Sequence, residues 1–154
     1  MSYSHINKKG FTLMELIVTV ILVAILASYA VYHYTNVMDE GRLNGAKGKL
    51  AALGGSTARF ILEHGAPEMT GDVAIDSSVV SGTCDHGSIK GVFTCSYAEK
   101  NVGFDDNFNF AFSDHPCGLV TDYITVVMTP KQANAIFPDC TYFNPNIDAV
   151  VEVN

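Results

Sequence analysis

At 154 residues the chain has room for one domain with its own core rather than two. Sixteen acidic residues against nine basic ones give a formal net charge of −7. That balance argues against generic binding to nucleic acid or anionic lipid and leaves only a local patch as a route to either. The hydrophobic share of 48% is unevenly spread: no residue from Leu16 to Met38 carries a formal charge, while acidic residues are scattered through everything after it.

Residues 1–10, MSYSHINKKG, are short and polar and end in Lys8, Lys9 and Gly10. Residues 11–34 are then almost wholly apolar, and as a helix they would span roughly 35 Å, enough to cross the hydrocarbon core of a bilayer. Lys8 and Lys9 on one side, with Asp39 and Glu40 on the other, place the basic end in the cytoplasm and the remainder across the membrane. If the basic segment is removed, the net charge becomes about −9.

The helical pattern continues beyond the apolar run. Leu43, Ala46, Leu50, Leu53, Thr57, Phe60 and Ile61 recur at three- and four-residue spacing, which predicts one long helix from about Phe11 to Glu63. Gly41, Gly45, Gly48, Gly54 and Gly55 weaken its second half and suggest a break there, and His64-Gly65-Ala66-Pro67 ends it. Beyond Pro67, residues 73–80 read as an irregular connection, and residues 89–97, 108–112 and 119–128 read as strands. In the middle strand Phe108, Phe110 and Phe112 alternate with polar or small residues and should share one buried face. Thr129-Pro130-Lys131-Gln132 reads as the capped start of a short helix ending before Phe137, and residues 147–153 as a last strand. The fold class expected is α+β, a long N-terminal helix against a C-terminal antiparallel sheet.

Cys84, Cys95, Cys117 and Cys140 all follow the apolar segment, and an even count beyond a membrane favours two disulfides. Of the three possible pairings, Cys84–Cys95 and Cys117–Cys140 close the short local loops and are the expected ones. Cys84-Asp85-His86 and His115-Pro116-Cys117 place imidazoles beside thiols, but neither has a usual structural-zinc spacing, so no metal is expected. Asp105-Asp106-Asn107 offers oxygen ligands without the spacing of a calcium loop and reads as a polar turn.

The most informative segment is Lys8-Lys9-Gly10-Phe11-Thr12-Leu13-Met14-Glu15-Leu16. A glutamate in a membrane-length apolar run is costly, at least about 2.5 kcal/mol at the bilayer centre, and the positive end of the helix dipole offsets only part of that. Cleavage between Gly10 and Phe11 would create an α-amine one helical turn from Glu15. In a stack of parallel helices, Glu15 of one subunit could pair with the Phe11 amine of the next, and other axial offsets would leave a buried charge alone. Glu15 is thus a candidate registry device for a filament.

The segment KKGFTLMELIVTVILVAIL, residues 8–26, resembles the class III signal of type IV prepilins. In that family a short basic leader ends in glycine, phenylalanine follows, and glutamate comes four positions later. The resemblance implies removal of residues 1–10 by a membrane-embedded prepilin peptidase and N-methylation of Phe11. It also implies a single-pass inner-membrane precursor with a cytoplasmic N-terminus. Residues 11–34 would form the transmembrane and filament-core helix, and residues 35–154 the periplasmic or extracellular head. Its partners would be further copies of itself and the pilus assembly machinery, with no cofactor and no nucleic acid for the isolated subunit. The chain departs from many pilins in having no proline before Pro67.

Three roles follow from the resemblance: repeating subunit of a surface pilus, with adhesion, motility or DNA uptake as its uses; pseudopilin of a type II secretion system, in a short periplasmic fibre; or minor tip pilin acting as a binding module. The four cysteines lean toward the surface fibre. A conventional secretory signal cut after Ala30, or a plain membrane anchor, leaves Gly10-Phe11 and Glu15 unexplained. Tyr29, Tyr32 and Tyr34 fit a membrane interface better than a conduction path. There is no G-x-S-x-G, H-E-x-x-H, P-loop or dinucleotide fingerprint, and His33, His64, His86 and His115 are dispersed, so no enzyme activity is expected.

Overall fold

The computed structural model describes residues 11–69, 71–132 and 136–153. The chain falls into two units, one up to Met38 and one from Asp39 onward. The leader residues Lys8, Lys9 and Gly10 lie outside the described residues.

Helix α1 runs Leu13–His64 without the break that its glycines suggested. The break is absent because this half of α1 is held by tertiary packing, which outweighs propensity. Leu43, Ala46, Leu50, Leu53, Thr57 and Phe60 form its buried stripe. The Thr57 hydroxyl donates to the Leu53 carbonyl at 2.7 Å, so this polar group enters the core satisfied. Gly65 follows at φ 87° and closes the helix with an N–H to the Ile61 carbonyl at 2.7 Å.

The stripe packs into one core with an antiparallel meander of five strands in sequence order: β1 Val73–Ala74, β2 Phe108–Ser113, β3 Thr125–Pro130, β4 Cys140–Asn144 and β5 Ala149–Val153. Phe108, Phe110 and Phe112 do share one buried face. Residues Thr125, Val126, Val127 and Met128 of β3 are all buried, as befits the central strand of the sheet.

Three further local expectations fail. Residues 89–97 hold a short helix, α2 Gly91–Thr94, instead of a strand. Buried Ile89, Val92 and Phe93 stand at i, i+3 and i+4, which is helical spacing. The strand expected over 119–128 starts only at Thr125, because Gly118 takes φ 75° and Leu119 and Val120 turn outward. Thr129 and Pro130 do not start a helix: they end β3, paired with Asn109 and Phe108. Proline is tolerated at that strand end, and the Lys131 N–H bonds the Asn107 carbonyl at 2.8 Å just beyond it. The rest of that expected helix, residues 133–135, lies outside the described residues.

Candidate functional site at the N-terminal junction

Phe11 is exposed, and Thr12 caps α1: its hydroxyl accepts the Glu15 N–H at 3.3 Å and its carbonyl accepts the Leu16 N–H at 3.2 Å. Glu15 therefore occupies the third position of the first turn, the place of the acid in a capping box. That local role was legible in Thr12-Leu13-Met14-Glu15 but was obscured by the surrounding apolar run. Among the described residues the Glu15 carboxylate has no side-chain hydrogen bond or ion pair.

From Leu13 to Met38 this unit presents apolar side chains on all sides, and none of its most apolar stretch is buried. Its serine and threonine hydroxyls are internally satisfied: Thr19, Ser28 and Thr35 donate to the Leu16, Ala24 and Tyr32 carbonyls at 2.8, 2.9 and 2.9 Å. Such back-bonding suits a medium without water, be it lipid or neighbouring apolar helices. Glu15 is the only formal charge from Phe11 to Met38. Tyr29 and Tyr32 flank His33, with ring centroids at 4.4 and 5.8 Å.

In the second unit, the loop before β2 is held by two ammonium groups. Lys49 Nζ lies 2.7 Å from Asp105 Oδ2 and 3.0 Å from the Phe104 carbonyl, and Lys131 Nζ lies 2.6 Å from the Asp105 carbonyl. Burial pushes the Asp105 carboxyl up, but the hydrogen bonds from Lys49 and from the Asn107 N–H outweigh it and hold the group below the usual range. In the polar turn Asp105-Asp106-Asn107, the Asp105 carboxylate is thus engaged by the chain's own Lys49 and by the Asn107 N–H. Lys49 and Lys131 carried no sequence signal for this task, because they stand far from Asp105 along the chain.

The sulfurs are joined as Cys84–Cys95 and Cys117–Cys140, with Cα atoms 4.6 and 5.8 Å apart. Cys84, His86 and Cys95 bring their ligand atoms within 4.8 Å of one another, but the bonded sulfurs offer no thiolate to a metal. His64 and His86, dispersed in sequence, are stacked with centroids 4.1 Å apart. Beside them Tyr97 donates to Glu63, and Arg59 bonds the other Glu63 oxygen at 3.0 Å. The Tyr97 hydroxyl first, then Arg59, hold the Glu63 carboxyl below its ordinary value, and the same bond raises Tyr97.

Residues 6–31 match the prokaryotic N-terminal methylation motif, the class III signal peptide of type IV pilins. No curated protein and no solved structure matches the chain. The motif, with the apolar helix and the five-stranded sheet behind it, supports a type IV pilin-like or pseudopilin precursor that is anchored in a membrane and processed by a prepilin peptidase.

Proposed function

We propose that the chain is a type IV pilin, cut between Gly10 and Phe11 and methylated at Phe11, whose mature form polymerises into a surface filament. Residues 1–10 are the leader, residues 11–34 the membrane and filament-core helix, and residues 35–154 the head. The observation that carries this reading is a methylation motif continued by a helix whose stretch from Leu13 to Met38 is apolar on every side and charged only at Glu15. Such a surface is unstable in water at roughly 25 cal/mol for each Å² exposed, so it moves from lipid to a lattice of like helices and not into solution.

Within that lattice the Phe11 amine of one subunit neutralises Glu15 of another and selects their axial offset. The two disulfides suit a head that remains outside the cell. Adhesion, motility or DNA uptake would be uses of the filament and not properties of the single subunit. The test is to shear filaments from intact cells and identify their most abundant subunit by mass spectrometry. Recovery of this chain as that subunit supports the reading. Recovery only from short periplasmic fibres assigns it to a secretion pseudopilin, and recovery in trace amounts at filament ends to a minor pilin.

A further inference from the structure

The two disulfides have different surroundings. His86 Nε2 lies 3.2 Å from Cys84 Sγ. A disulfide sulfur carries no proton and can only accept, so the nitrogen facing it is the one that bears hydrogen. The ring is held against His64, with a 22° angle between the planes. His64 is itself fixed at the last position of α1, its Nε2 2.9 Å from the Tyr97 hydroxyl. Tyr97 gives its single proton to Glu63, so His64 Nε2 must donate to it, and both imidazole tautomers are set by the chain.

Close approach of the segments requires Gly91, where a Cβ would come within 2.3 Å of the Asp85 carbonyl and 2.5 Å of the Phe60 ring. The arrangement aims one N–H at one sulfur of a bond whose Cys84 end is exposed and whose Cys95 end is half-buried. Among the described residues no imidazole bonds either sulfur of Cys117–Cys140.

We propose that Cys84–Cys95 is a thiol–disulfide exchange site in which His86 stabilises the Cys84 thiolate, while Cys117–Cys140 is a structural staple. The partner class is a dithiol, or its disulfide in the oxidising direction. In opening, a partner thiolate attacks Cys95 Sγ, the S–S bond breaks, and its electron pair leaves on Cys84 Sγ, facing the His86 N–H. The second partner thiolate then attacks the partner sulfur of the mixed disulfide and releases Cys95 as a thiolate. Two chain sulfurs are reduced, one partner dithiol is oxidised, and solvent protons balance the thiolates. Closing is the reverse: Cys95 attacks the partner disulfide and Cys84 resolves the mixed disulfide. A hydrogen-bonded thiolate is the better leaving group, which gives the exchange its direction of attack.

The test uses the leader-cleaved full chain in detergent, treated with dithiothreitol and alkylated at intervals, with each cysteine followed by peptide mass spectrometry. Cys84–Cys95 should open about tenfold or more faster than Cys117–Cys140, and His86→Asn should slow it by about threefold or more while leaving the second bond unchanged. With glutathione, the first adduct should sit on Cys95. A Cys95→Ser chain provides a second arm: its Cys84 should alkylate about threefold or more faster than in Cys95→Ser/His86→Asn. Equal opening rates in wild type and His86→Asn, or a first adduct on Cys84, would overturn the proposal.

Discussion

The ring of Phe143 in β4 occupies the space that a side chain on Gly54 of α1 would need: a Cβ there would stand 2.1 Å from Phe143 Cγ. Gly41, Gly45, Gly48 and Gly55 on the same helix have nothing within 4 Å of that position. Gly54 is therefore the glycine through which α1 admits the sheet. Gly54→Ala gains about 1 kcal/mol of helix propensity but must displace a buried ring, and a net loss of about 2 kcal/mol is expected. Gly55→Ala should be neutral or stabilising. Urea midpoints of the two variants in detergent check the contrast.

Acid should loosen the loop before β2. The Asp105 carboxyl is held below its ordinary value in the folded chain, so its contribution is present above that ordinary value, about 3.9, and is lost as pH falls through the folded one. Lys49→Met should lower the urea midpoint at neutral pH, because it leaves a half-buried carboxylate short of its cation. The gap between variant and wild type should shrink as pH drops below about 4. A gap that is constant from neutral pH to pH 3 would count against the ion pair.

The Cys117–Cys140 bond reinforces a weak seam. Strands β3 and β4 are paired at Val127↔Tyr142 and Met128↔Thr141, against six register pairs between β2 and β3 and five between β4 and β5. Cys140 opens β4 and is tied to Cys117 in the turn before β3. Replacing both cysteines by alanine should cost about 3 kcal/mol, read as a fall in the urea midpoint.

Much of this was legible in the sequence, and the misreadings have physical causes. The stripe from Leu43 to Phe60 and the alternation of Phe108, Phe110 and Phe112 survive because each periodicity matches one buried face. Thr129-Pro130 carries real helix-start chemistry, yet the ladder to Phe108 and Asn109 claims its backbone first. β4 went unread although Thr141, Tyr142 and Phe143 are good strand residues, because a five-residue run between Pro138 and Pro145 resembles a loop. At the junction, Lys8 to Glu15 carries the resemblance from which processing is proposed, while the Thr12 cap, legible in Thr12-Leu13-Met14-Glu15, was masked by the apolar run around it.

The Thr12 cap uses the Glu15 backbone N–H and leaves its carboxylate without a side-chain hydrogen bond or ion pair among the described residues. Glutamine also serves at the third position of a capping box, but it has no charge to offer the Phe11 amine. Glu15→Gln and Glu15→Ala should both leave cleavage intact. In cells with no wild-type subunit, both should cut filament yield by about tenfold or more, since about 1.4 kcal/mol per contact is tenfold in each association step. Normal yield from Glu15→Gln would show that assembly does not need the charge of Glu15.

Processing at Gly10/Phe11 followed by assembly is read from the N-terminal peptide of the subunit recovered from sheared filaments. Mass spectrometry should find that peptide beginning at Phe11 with one added methyl group on its amine. A peptide retaining Lys8 and Lys9, or one beginning after Ala30, would rule out cleavage between Gly10 and Phe11.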